Sequence, residues 1–422
     1  MVPERPRNPY VPLTENDVKT MLEQVKASSI DELFKDVPVE PHSPNLPPAV
    51  DEATLERELS EKLGSPPPSY IPSRYVPALL DEISSRAELY TAYTSYQSEL
   101  SQGMLQSLFE FQSLVSELTG MDAVTSSLYD GGAALGEAAL LSKRVNGRKK
   151  LLVASSADPQ RKAVLKTYAY GGSLDVVEIP FDESGEVDLS LGDVTDEVSM
   201  VYVESPNFFG VIEEGLDEIS AWAHSKGALF GVGVDLPSLS VLKPPSDYGA
   251  DVVVAEGVGS HPYASSGLGI LAARGELTRQ LPGKLVGATL DSEGKLAYCL
   301  TLLTREQSIR REKATSNVTT DSALNAVRAA AYISLMGAEG MAKSLKESVK
   351  QSHELALALA SMGYEAPTFS GPYLDRFVAR LPGSSGKPVH RVGIPLWKHY
   401  PLQDQVLLFG GTPLSAIQEI MG

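Results

Sequence analysis

From about residue 76 to 304, short β-rich runs alternate with helical periods, and several of the runs are apolar at nearly every position. A strand with one wet face alternates apolar and polar residues. A run that stays apolar suits a strand covered by helices on both faces. The runs fall at 151–153, 174–179, 198–203, 229–234, 251–254 and 268–271. Helices are expected at 77–86, 103–119, 131–142, 159–170 and 216–226, the second marked by an apolar stripe of Leu108, Phe111, Val115 and Leu118. This alternation predicts an α/β fold around a parallel or mostly parallel sheet.

The flanks differ from this middle. Residues 1–70 read as an acidic, Pro-punctuated arm with three short helical patterns, the first opened by Thr14 and Asp17 as a variant capping box. Ser29 and Glu32 open the second, and residues 52–63 form the third, followed by the extended connector Ser65-Pro66-Pro67-Pro68-Ser69. Short amphipathic helices cannot bury their apolar faces alone, so the arm is expected to wrap around something. Residues 71–320 form the large domain. Residues 321–422 form a small C-terminal α/β domain: a long helical pattern, a strand at 377–381 and a last helix near 414–420.

Composition removes several function classes. The chain has 422 residues and a formal charge of −18, with a pI near 4.8, which opposes binding to nucleic acid or to an anionic membrane surface. Cys299 is the sole cysteine, and the six histidines show no ligand spacing, so no metal is expected. No run approaches the ~18 apolar residues of a membrane span, and the first ten residues lack a secretory apolar core. The expected location is cytoplasmic, with small molecules or other proteins as partners.

Four segments carry candidate chemistry. Asp130-Gly131-Gly132 precedes an Ala-rich helix, where backbone N–H groups and the helix dipole favour an anion; the same turn also serves as an ordinary cap. The stretch 90–103 gathers Tyr93, Tyr96, Gln97, Glu99 and Gln102 before the next helix, and suits either a zwitterionic ligand or a packed interface. Arg305, Arg310 and Asn317 mark a locally basic loop, read as a carboxylate clamp or as an intersubunit salt-bridge network. Asp235 ends a strand, where doubly wound sheets place ligands. In fold-type I pyridoxal-phosphate (PLP) enzymes an Asp so placed pairs with the pyridine nitrogen, and a Schiff-base lysine follows. Here no lysine lies between Lys243 and Lys284, and His261 stands in the loop where that lysine is expected.

Together the segments resemble subunit 1 (α) of the two-subunit glycine dehydrogenase (decarboxylating), the P-protein family of the glycine cleavage system. The matching text includes Ser28-Ser29-Ile30-Asp31-Glu32-Leu33-Phe34, Leu128-Tyr129-Asp130-Gly131, Ser205-Pro206-Asn207-Phe208-Phe209-Gly210, and Arg279-Gln280-Leu281-Pro282-Gly283. It also includes Thr91-Ala92-Tyr93, Tyr248-Gly249-Ala250-Asp251 and Ser316-Asn317-Val318-Thr319-Thr320, so the likeness covers about residues 14 to 345.

The resemblance implies a PLP-dependent-transferase (fold type I) large domain in a heterotetramer, α₂β₂. It implies that glycine dehydrogenase subunit 2 (β) holds PLP and its lysine, while this chain binds none covalently. The implied reaction decarboxylates glycine and passes the aminomethyl group to the lipoyl arm of H-protein. Tyr93, Tyr96, Gln97, Glu99 and Gln102 would then line the shared active site, and Asp130, Gly131, Asp158 and Asp235 a vestigial cofactor pocket. Where relatives read His-Pro, this chain has Asp158-Pro159, and Asp158 cannot stack on a pyridine ring. The loops at 66–77 and 256–267 also depart from the family pattern. Two alternatives remain: a free-standing fold-type I enzyme such as a desulfurase or aminotransferase, and a non-catalytic scaffold of that fold.

Overall fold

The computed structural model describes residues 10, 12–38, 45–63, 75–92, 97, 100–188, 197–257, 267–302, 306–314, 318 and 322–422. Two compact units result, Met1–Ser65 and Pro66–Gly422. In the first, α1 (Glu15–Val25) starts on the expected capping box: Asp17 N–H donates to Thr14 Oγ1 at 3.2 Å, and Thr14 N–H donates to Asp17 Oδ2 at 2.8 Å. A 3₁₀ turn at Asp31–Phe34 is tied by Ser28 N–H to Glu32 Oε2, and α2 (Glu52–Leu63) follows. Neither α1 nor the 3₁₀ turn buries a side chain, and Met21, Val25, Leu33 and Phe34 stand exposed. The 65–69 connector lies outside the described residues.

The second unit opens with α3 (Leu79–Ser84), α4 (Ala87–Tyr90) and α5 (Gln102–Thr119). Next come β1 (Ala123–Val124), α6 (Gly131–Asn146), β2 (Lys150–Ala154), α7 (Pro159–Gly172) and β3 (Asp175–Ile179). Then follow β4 (Val198–Glu204), α8 (Leu216–Ser225), β5 (Leu229–Val234), β6 (Val252–Glu256) and β7 (Gly269–Ala273). These strands make one seven-stranded sheet of order β1-β7-β6-β5-β4-β2-β3. From β3 to β6 every neighbouring pair is parallel, and β7 and β1 close one edge antiparallel. The sheet is therefore mostly parallel, as the unbroken apolar runs predict.

Burial on both faces is visible residue by residue. Leu151, Val153, Tyr202 and Val254 point to one core with Leu135 and Ala138 of α6 and Leu165 of α7. Leu152, Val203, Val232 and Val253 point to the other, with Leu105, Leu108 and Phe111 of α5. Successive strand residues face opposite ways, so both sets must be apolar. Full burial of each such side chain contributes ~1.5–3 kcal/mol.

Not every buried group is apolar. Glu137 of α6 is 3% exposed, and its Oε2 has no hydrogen-bond partner among the described residues. Burial pushes its carboxyl up to about 7, outweighing the opposing pull of Arg144.

An antiparallel hairpin of β8 (Leu285–Leu290) and β9 (Leu296–Thr301) follows the sheet, and its alternation was too weak to read from the sequence. The short α9 (Gln307–Arg310) leads to α10 (Ala323–Ser361). This long helix breaks at Gly337, whose φ of 61° and ψ of 178° leave the helical region. Its first part joins the core on one side of the large sheet through Ala326 and Ile333, packing on α5 and α3, and its last part packs through Leu355 and Leu359 on a three-stranded sheet. That sheet is β10 (Arg376–Arg380), β11 (Ile394–Pro395) and β12 (Gln405–Phe409), ordered β10-β12-β11, with α11 (Leu414–Met421) beside it.

An aromatic joint ties this C-terminal sheet to the loop after β4. Phe209 stacks on Phe369 at 4.8 Å and meets Tyr400 edge-on at 5.1 Å. Arg376, 6% exposed, donates to the carbonyls of Asn207 at 2.6 Å, Phe208 at 3.3 Å and Pro206 at 3.4 Å. Its guanidinium therefore fixes the backbone of the Ser205-Pro206-Asn207-Phe208 loop.

Two outcomes follow from these buried groups. A carboxyl whose folded pKa of about 7 exceeds its unfolded 4.5 keeps its stabilising share below the lower value and loses it as pH rises through the upper one. Glu137→Gln should therefore match the native chain in thermal stability in acid and exceed it by up to about 3 kcal/mol above neutrality. A stability difference that does not change with pH would contradict this. Arg376→Ala strips donors from three carbonyls, so its urea midpoint should fall by an amount equivalent to about 3 kcal/mol. Arg376→Lys, lacking the planar fork, should restore under half of that.

Candidate functional site

The carboxyl ends of β4, β5 and β6 and the N-termini of α6 and α7 meet around one cavity of ≈ 150 Å³. This is the place where open α/β sheets hold ligands. Its lining includes Asp130, Asp158, Glu204, Asp235 and Glu256, against the guanidiniums of Arg161 and Arg376. Three of the candidates from sequence, Asp130, Asp158 and Asp235, are thus brought together, with the Gly131 amide beside them.

Most of these charged groups have defined work. Asp130 caps α6, its Oδ1 accepting Ala133 N–H at 2.6 Å. Glu256, at the end of β6, accepts Gly131 N–H at 2.6 Å through Oε2. Asp158 caps α7 by accepting from Gln160 and Arg161 N–H at 2.7 and 3.2 Å. Glu204, 4% exposed, accepts from three donors: Asp158 N–H at 3.0 Å, Arg161 Nη1 at 3.1 Å and the Tyr202 hydroxyl at 2.9 Å. Burial first, and then the Glu204 carboxylate, hold the Tyr202 phenol well above its ordinary range. Asp235 sits at the start of the turn after β5, where its carbonyl accepts from Ser238 N–H at 2.9 Å and Ser238 Oγ at 2.6 Å.

These residues do not fit PLP. No lysine stands among the described residues that line the cavity. The anion-favouring end of α6 is covered by the chain's own carboxylates. A Cβ built on Gly131 would run into Glu256 Oε2 and Arg161 Nε, so no gap lies between them. The volume is also below the ~300–1,000 Å³ usual for ligand clefts. The cavity is an acid-rich ion network, five carboxylates against two guanidiniums, with no amine nucleophile among the described residues that line it.

The other candidates lie elsewhere. Gln102 clasps the hairpin: its Nε2 donates to Tyr298 O at 2.8 Å and its Oε1 accepts Tyr298 N–H at 2.9 Å. Gln112, two to three turns along α5, repeats the clasp on Val286 at 3.0 and 2.9 Å. Gln97 is exposed, and Arg310 is exposed at the end of α9. Tyr93, Tyr96, Glu99, His261, Arg305 and Asn317 lie outside the described residues. Sequence reasoning missed Glu204, Glu256, Arg161 and Arg376. The signal for the first two was available: a single acid closing an otherwise apolar strand run.

Comparison with known proteins places this geometry. The family model "Glycine cleavage system P-protein" matches residues 8–389. A Carboxydothermus hydrogenoformans protein described as "Probable glycine dehydrogenase (decarboxylating) subunit 1" is 42% identical over 88% of this chain and 87% of its own length. A Thermotoga maritima protein of the same description is 42% identical over 89% of this chain and 87% of its own. The crystal structure of a glycine decarboxylase (P-protein) in inhibitor-bound form superposes with a TM-score of 0.84, at 34% identity and 98% coverage of both chains. A Burkholderia pseudomallei sphingosine-1-phosphate lyase shares the fold alone, with a TM-score of 0.60 at 14% identity and 92% coverage of both chains. With a matching model over most of its length and relatives above 40% identity, the chain belongs to the glycine cleavage system P-protein family.

Proposed function

We propose that this chain is the subunit of a two-subunit glycine decarboxylase that does not carry the cofactor. Its relatives are described as subunit 1 of glycine dehydrogenase (decarboxylating), which implies a subunit 2. With that partner the enzyme decarboxylates glycine and passes the aminomethyl group to the lipoyl arm of H-protein, in an α₂β₂ assembly in the cytoplasm. No described helix is long and apolar enough to cross a membrane. PLP is held by subunit 2.

The observation that carries this reading is the cavity at the strand ends. An acidic, lysine-free lining with the α6 amides capped from within suits a framework subunit and not a free-standing desulfurase or aminotransferase. This chain's part is to complete the shared active site. Tyr93, Tyr96, Gln97, Glu99 and Gln102 are the proposed contributors, and the loop bearing Arg305, Arg310 and Asn317 is a proposed contact with subunit 2. The clasp between Gln102 and β9 supports this assignment, because it ties the last residue of that set to the β8–β9 hairpin.

Glycine–bicarbonate exchange tests it. The purified chain should give no exchange alone, and should restore exchange to a PLP-bearing subunit 2 supplied with H-protein. Exchange by this chain alone would refute the assignment. Tyr93→Phe or Tyr96→Phe should lower kcat about tenfold, the loss of one hydrogen bond of about 1.4 kcal/mol, while the complex stays intact by size exclusion. Unchanged kinetics would place both tyrosines in packing.

A further inference from the structure

The α6 N-terminus is a ready anion site in any helix so placed, yet here it is closed by a residue 125 positions away. Glu256 Oε2 accepts Gly131 N–H at 2.6 Å, and Asp130 Oδ1 accepts Ala133 N–H at 2.6 Å. Arg161 packs against the same glycine and is paired to Glu204 at 3.1 Å. A phosphate ester needs those same amides and carries up to two negative charges. It would meet the Glu256 carboxylate where its own oxygens must go, with Asp130, Asp158 and Asp235 on the surrounding wall. The misfit noted above is therefore concentrated at one side chain.

We propose that Glu256 is a built-in anion that stands in for a cofactor phosphate at the start of α6. Its carboxylate satisfies the Gly131 amide and complements the positive end of the helix. The chain thereby keeps this helix–strand corner closed with no bound cofactor, and excludes PLP and free phosphate from it. Arg161 balances the added charge while Glu204 holds it in place. This inference deepens the reading of a subunit without cofactor, and it can fail while that reading stands.

Binding of inorganic phosphate to the full-length chain tests it, read by calorimetry and by thermal unfolding with and without millimolar phosphate. Wild type should show no saturable binding and no shift in Tm. Glu256→Ala, checked for its native circular dichroism, should have a lower Tm that phosphate raises. It should bind phosphate at least about tenfold more tightly than wild type, with PLP competing and no pyridoxyl group trapped by borohydride. Glu256→Gln keeps an acceptor for Gly131 N–H but loses the charge, and decides the matter if the alanine variant does not fold: its phosphate affinity should also exceed wild type. Wild type binding phosphate as tightly as the variants would overturn the proposal, and so would a folded variant with no gain. Failure of wild type to restore exchange to subunit 2 would instead count against the subunit reading and leave the phosphate result to stand by itself.

Discussion

The contact between the Glu256 carboxylate and the Gly131 amide joins the end of one strand to the start of a helix far away in the chain. Around it the other charges find their partners. Arg161 reaches Glu204, Glu204 takes the Asp158 amide and the Tyr202 hydroxyl, and Asp158 caps the helix that carries Arg161. In a low-dielectric corner a charge left out of this circuit would cost several kcal/mol, so the pairs hold together or fail together. The same circuit determines what the cavity can accept. Its acids outnumber its guanidiniums, and the Gly131 and Ala133 amides of α6 are taken by the chain's own carboxylates.

The C-terminal sheet contributes one side chain to the cavity wall. Arg376 lines it and binds three successive carbonyls of the loop after β4, while Phe209, Phe369 and Tyr400 pack the joint behind it. Tyr400 also donates to Ala157 O at 2.9 Å, tying this joint to the turn that precedes Asp158. The break at Gly337 lets one long helix serve both sheets, because a residue with φ near +60° can redirect the chain where most residues cannot.

Much of this was legible beforehand, for local reasons. The strands of the central sheet announce themselves because both faces are buried, so Leu151, Leu152 and Val153 are all apolar although neighbours point to opposite cores. Helix starts at Thr14 and Asp130 show because caps are decided by a residue and its near neighbours. The places of Glu204 and Glu256 at strand ends were legible, but their roles were not, because their partners lie 46 and 125 residues away. The clasp of Gln102 on Tyr298 was not legible, since an amide that clasps a backbone and one that clasps a substrate are the same residue in the sequence. The β8–β9 hairpin was hidden because much of its length is exposed, which leaves little periodicity to read.

On the proposed function, the reacting cofactor belongs to the partner and this chain keeps its own pocket closed. Borohydride reduction of the assembled two-subunit enzyme, followed by peptide mass mapping, tests it most directly. A reduced pyridoxyl group is expected on a lysine of subunit 2 and none on any lysine of the 422-residue chain. A pyridoxyl-lysine in this chain, in stoichiometric yield, would contradict it.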